Sequence, residues 1–145
     1  MKRVERVATI ATSPDELFAY LADLENLDEW MAGIVSAEVT SPGDIGVGTT
    51  ARVVRALGSQ SVEAQLTVDE YDPPRHIVIG SEVSGVRIAA SLDLQPRDAD
   101  ATELQFAMEI RGSMLTRFME PMIAGAAGGE IDVTLERIGA RFAAG

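Results

Sequence analysis

Side chains able to do covalent or acid–base chemistry are sparse in this chain, and that scarcity narrows what it can do. There is one histidine and no cysteine. The single lysine is Lys2. Absence of cysteine removes disulfides, thiolate nucleophiles and zinc–thiolate sites together. A Ser-His-Asp arrangement would have to use His76, which follows Pro73-Pro74-Arg75 at the start of a strand, where a solvent-facing or capping role is expected. No Gly-x-Ser-x-Gly elbow, His-Glu-x-x-His pair or phosphate loop ending in Gly-Lys-Ser/Thr occurs. A Schiff-base lysine would have to sit at the terminus. The acidic pairs Asp15/Glu16, Asp28/Glu29 and Asp69/Glu70 are sequence neighbours, so their side chains point apart and read as solvated surface. No catalytic residue, metal ligand or cofactor is assigned on these grounds.

What remains suits binding. In the stretch 48–57, Arg52 and Arg55 are three residues apart, so a period of two places them on opposite faces. Arg55 shares its phase with Ala51, Val53 and Leu57, the more apolar set, and is expected inside. A guanidinium there must lie at a mouth or meet a carboxylate, and it could anchor the acidic or carbonyl end of an apolar ligand. Trp30, the only tryptophan, combines apolar area with one donor and suits either the core or a cavity rim. Met108, Met114, Met119 and Met122 gather near the C-terminal end, as core filling or as a deformable wall. Gly125, Gly128 and Gly129 allow either close packing of a helix or a gate hinged at Pro121.

The elements that would hold these residues follow from periodicity. Residues 3–12 alternate as a strand. Ser13-Pro14-Asp15-Glu16 has the form of a capping box with proline at the first helical position. The helix it starts carries Leu17, Phe18, Leu21 and Leu24, and a second short helical piece spans about 27–31. Period two then predicts strands at 34–40, 48–57, 60–71, 76–82, 86–95 and 102–111, separated by turn residues such as Ser41-Pro42-Gly43-Asp44 and Asp72-Pro73-Pro74-Arg75. Short links imply an antiparallel meander. Val62, Ala64, Leu66 and Val68 share one face, as do Ile88, Ala90, Leu92 and Leu94, and Leu104, Phe106, Met108 and Ile110. From Ser113 to about Ala143 the period is helical, with Ile131, Leu135, Ile138 and Phe142 in one stripe and Pro121 expected to kink it. One helix cannot fill the concave side of so long a curved sheet, so an apolar cavity is expected between them.

Composition agrees with one α+β domain over residues 1–145. The chain has 145 residues, 46% of them hydrophobic, and a formal net charge of −11. That field disfavours nucleic acid and anionic lipid surfaces. No stretch reaches the roughly 18 apolar residues of a membrane span, and the N-terminus alternates where a signal peptide would be continuously apolar. A cytoplasmic location is the expectation.

The element order and several local sequences together resemble the START-like helix-grip superfamily, in its polyketide cyclase/dehydrase and lipid-transport branch. The resemblance rests on Ser13-Pro14-Asp15-Glu16-Leu17-Phe18, on Asp23-Leu24-Glu25-Asn26 running to Glu29-Trp30, on Gly46-Val47-Gly48-Thr49, on Tyr71-Asp72-Pro73-Pro74-Arg75 and on Met119-Glu120-Pro121-Met122. It implies a curved antiparallel sheet of about seven strands around a long C-terminal helix, with two short helices after the first strand and an internal cavity. Trp30, Val53, Arg55, Leu66, Ile88, Ala90, Phe106, Met108, Phe118, Met119 and Met122 are the expected lining. The implied function is a binding or carrier protein for a hydrophobic small molecule such as a lipid, polyketide, isoprenoid or quinone. The alternatives are a cyclase, aromatase or dehydratase using the same cavity, and an interaction protein whose cavity is vestigial. Either a monomer or a homodimer fits.

Overall fold

In the computed structural model, the described residues are 2–57, 59–83, 85–112, 118 and 120–143. Strand β1 (Lys2–Ile10) is followed by helix α1 (Pro14–Ala22), a 3-10 turn (Leu24–Asn26) and helix α2 (Leu27–Trp30). Six strands follow: β2 (Ile34–Val39), β3 (Thr50–Leu57), β4 (Gln60–Asp72), β5 (His76–Val83), β6 (Val86–Asp98) and β7 (Ala101–Gly112). Helix α3 (Glu120–Arg141) closes the order. The seven strands form one antiparallel sheet in the order β1-β7-β6-β5-β4-β3-β2. The chain thus has the helix-grip architecture, and the meander matches the alternation in its sequence.

Local chemistry sets the helix ends. The Ser13 hydroxyl accepts from the Glu16 backbone N–H at 3.3 Å, with Pro14 in the first turn of α1. The reciprocal half of the expected capping box is different. The Glu16 carboxylate accepts from the Thr12 hydroxyl at 2.7 Å, which ties the helix start to the end of β1. Pro121 is the second residue of α3. In the first turn of a helix a missing N–H costs nothing, so Pro121 is compatible with the start of α3 as described, and the expected helical stretch from Ser113 to Met119 lies, Phe118 apart, outside the described residues.

Helix α3 lies over β1 and β7, burying Ala127, Ile131, Thr134 and Ile138. The Thr134 hydroxyl accepts from the Ala32 N–H at 3.0 Å, joining α3 to the segment after α2. The α3 glycines differ in surroundings. A Cβ at Gly128 would sit 3.4 Å from the Arg6 guanidinium and 3.8 Å from Val4, whereas Gly125 and Gly129 have open space around them. Only Gly128 serves close packing against β1.

Candidate functional site

The sheet's apolar phase builds a small cavity on its concave side. Val53, Arg55, Leu66, Ile88, Ala90 and Met108 all line it, with Met31, Ile34, Ala64, Ile79 and Ser81. Its volume is about 60 Å³. The strand pairing explains the grouping. Val53 lies opposite Ala64, Leu66 opposite Ser81, Ser81 opposite Ile88, and Ala90 opposite Met108, so side chains of one phase meet across five strands.

Arg55 is the one charged side chain among the described lining residues. It ion-pairs with Glu130 of α3, and the two side chains are 22% and 33% exposed, so the pair sits at the boundary between the cavity and solvent. Gly33, at φ +89°, lies beside both: a Cβ there would be 3.5 Å from Glu130 Oε1 and 3.6 Å from the Arg55 guanidinium. Arg52, on the other phase, is exposed and bonds Glu38 at 2.8 Å. The two arginines therefore sit on opposite faces, and Arg55 meets a carboxylate.

Other expected lining residues are placed elsewhere. Trp30 is fully buried and packs edge-on against Phe106, with ring centroids 6.5 Å apart. Both belong to the packed core behind the cavity and not to its wall. Phe118 is 79% exposed. Met119, Met114 and the Met122 side chain lie outside the described residues.

Ser81 was not singled out from sequence. Its signal was present: Ile77 and Ile79 set an apolar phase on β5, and the next position in that phase is a serine. Its Oγ is buried and has no hydrogen-bond partner among the described residues.

His76 sits on the opposite face of β5. Its Nδ1 is 2.6 Å from Asp93 and its Nε2 3.0 Å from Glu70. Burial alone would lower its pKa, but the hydrogen bonds to Asp93 and Glu70 outweigh it and raise the value above the ordinary histidine range. Nearby, Arg87 bonds Asp69 at 2.5 Å across the face of Gly80, whose missing side chain leaves room for the pair. No group of three or more histidines and carboxylates among the described residues is arranged to hold a metal ion.

A second hollow, an open cleft of about 620 Å³, lies between α1, the 41–49 loop and the turn after β4. Phe18, Tyr71 and Ile45 contribute apolar surface and Asp15 and Asp23 line its edge. The Phe18 and Tyr71 rings are 5.7 Å apart. Neither tyrosine reaches the inner cavity. Tyr20 bonds Glu29 at 3.1 Å and stacks edge-on with Phe142, and burial with the Glu29 hydrogen bond raises its pKa.

The fold recurs in known proteins. A START superfamily protein from Mycobacterium smegmatis superposes with a TM-score of 0.80 at 16% identity, covering 97% of this chain and 96% of that one. The Zhui aromatase/cyclase from Streptomyces sp. R1128 gives 0.72 at 17% identity over 99% and 96%. An uncharacterized protein of Mycobacterium tuberculosis is 24% identical over 139 residues, 94% of this chain and 96% of its own. No helix among the described residues is long and apolar enough to cross a membrane. The family model described as polyketide cyclase / dehydrase and lipid transport matches residues 1–143, and the chain belongs to that family.

Proposed function

We propose that this protein binds a hydrophobic small molecule in the cavity on the concave face of the sheet and carries it within the cytoplasm. The observation that carries this reading is the cavity wall: nine of its eleven described lining residues are apolar, and among these eleven only Arg55 and Ser81 carry polar side-chain atoms. Burial of apolar ligand surface there is worth about 25 cal/mol per Å². Arg55 supplies a charge at the rim for a ligand's acidic or carbonyl end.

At about 60 Å³ the cavity is smaller than an apolar hole of about 150 Å³ that accepts benzene. A larger ligand therefore enters by displacing wall side chains. Met31 and Met108 are the adaptable ones, because an unbranched thioether moves between rotamers at low cost.

Native mass spectrometry of protein purified from its own host tests the reading. A co-purifying apolar molecule is expected, and repeated purification with none, together with no calorimetric binding of lipids or quinones, overturns it. In the cyclase-type reading, supported by the likeness to an aromatase/cyclase, Arg55 stabilises developing negative charge while Glu130 takes the proton. Recovery of a ligand that the protein converts on incubation favours that reading, and recovery unchanged favours carriage. Arg55→Ala should weaken an acidic ligand by about 1.5–3 kcal/mol and leave its methyl ester almost unaffected.

A further inference from the structure

The orphan hydroxyl of Ser81 carries a further step, which rests on the binding reading above. We infer that Ser81 selects ligands carrying an oxygen at their buried end, a hydroxyl or carbonyl on an otherwise apolar body, over the corresponding hydrocarbon.

Three observations support this. Ser81 occupies the position that the β5 phase, Ile77 then Ile79, would give to an apolar residue. Its cross-strand neighbours on that face are Leu66 and Ile88, which offer it no polar atom in their side chains. Its Oγ has no partner among the described residues. A buried hydroxyl without a hydrogen bond costs stability, and alanine in its place would remove that cost. A residue that breaks the local pattern with no compensating contact is where a functional role is expected, and Ser81, unlike the equally unpartnered Trp30 Nε1 of the core, lines the cavity.

Bound water is a poor explanation for this serine. A buried water needs two to four polar partners, and among the described lining residues only Ser81 and, at the rim, Arg55 carry polar side-chain atoms. A ligand oxygen needs only one. Serine has three staggered χ1 wells, so the hydroxyl turns into the cavity without movement of β5. It donates to a carbonyl or accepts from a hydroxyl equally well.

Register also sets the ligand's length. Arg55 lies opposite Val62 and Ser81 opposite Leu66, so four β4 residues separate the two polar groups along the sheet. At about 3.3 Å per residue this is about 13 Å along the strands, and the two strand spacings from β3 to β5 add about 10 Å across them, so the two backbone positions lie about 16 Å apart. The inferred ligand is therefore an extended apolar chain with an acid at the Arg55 end and an oxygen at the other, and seating it displaces wall side chains such as Met31 and Met108 from the cavity of about 60 Å³.

Calorimetric titration with decanoic and dodecanoic acids, each against its terminal hydroxy acid, tests the inference. The hydroxy acid of the fitting length should bind about three- to tenfold more tightly than its parent, the range of one neutral hydrogen bond. Ser81→Val should abolish that preference, the hydroxy acid then binding no more tightly than its parent acid. Ser81→Thr, which has valine's shape and serine's hydroxyl, should retain it. Equal affinities for acid and hydroxy acid in the wild type overturn the role of Ser81 and leave the binding reading intact. A preference that survives Ser81→Val overturns it as well. Absence of binding by any of the four acids overturns both for this ligand class.

Discussion

Two hollows of this molecule differ about tenfold in volume, about 620 Å³ for the outer cleft and about 60 Å³ for the inner cavity, yet the smaller has the better chemistry for holding an apolar molecule. In the cleft, Ala19, Asp23, Gly43 and Pro73 are exposed, so a ligand resting there stays largely in water. In the cavity, Val53, Leu66, Ala90 and Met108 are each at most 7% exposed, so a ligand inserted among them leaves water on most sides. The hydrophobic driving force scales with area removed from water, not with the space on offer. Enclosure, together with a hydroxyl and an ion pair at its limits, distinguishes the inner site.

The largest expected effect tests whether the cavity rests on a rigid core. Phe106 is fully buried behind it and meets Trp30 edge-on. Phe106→Ala should cost about 3–5 kcal/mol. Tyr71→Ala, which removes a half-buried ring from the cleft, should cost much less. Urea unfolding of both variants measures the contrast, and comparable losses would erase the distinction between a packed floor and a loose surface.

Blocking each hollow in turn sharpens the comparison. Ala90→Leu projects three more carbons into the inner cavity and should lower affinity for a bound apolar acid at least about tenfold, or about 1.4 kcal/mol. Overpacking should also cost about 1–3 kcal/mol of stability. Ala19→Leu places the same carbons in the cleft and should leave both quantities unchanged. Affinity lost through Ala19→Leu and kept in Ala90→Leu would move the binding site to the cleft.

How much of this was legible in sequence depends on whether the determinant is local. The phase of β3 follows from alternation alone, which is why Arg55 and Arg52 separate onto opposite faces as their spacing requires. Which carboxylate meets Arg55 is a tertiary fact: Glu130 is 75 residues away in α3, and no spacing rule connects them. Trp30 fitted either core or rim by composition, and its complete burial comes from packing with Phe106 across α2 and β7. Pro121 is compatible by sequence with a helix start as well as with a break, and it is the second residue of α3 as described. The outer cleft was invisible because its walls come from α1, a loop and a distant turn. Ser81 needed only the β5 alternation to be followed one position further.

The smallest effect separates the two faces of the sheet. His76 lies on the face of β5 opposite Ser81, between Asp93 and Glu70, and its pKa is raised in the folded protein. A raised folded pKa means that the protonated form is stabilised by folding. Its contribution is fully present below the unfolded value of about 6.5 and is lost as pH rises through the higher folded value. Because His76 is only partly buried and Glu70 is exposed, the contribution should be about 0.2–1 kcal/mol. Wild-type stability relative to His76→Gln should therefore be greater at pH 5.5 than at pH 9, measured by urea unfolding at both. Affinity of His76→Gln for an apolar acid should equal that of the wild type at each pH, since no atom of His76 lines the cavity. Parallel stability curves would show that the carboxylates do not hold the imidazolium. A His76-dependent change in affinity would mean that the sheet transmits charge from its outer face to the cavity, and the two faces would no longer be independent.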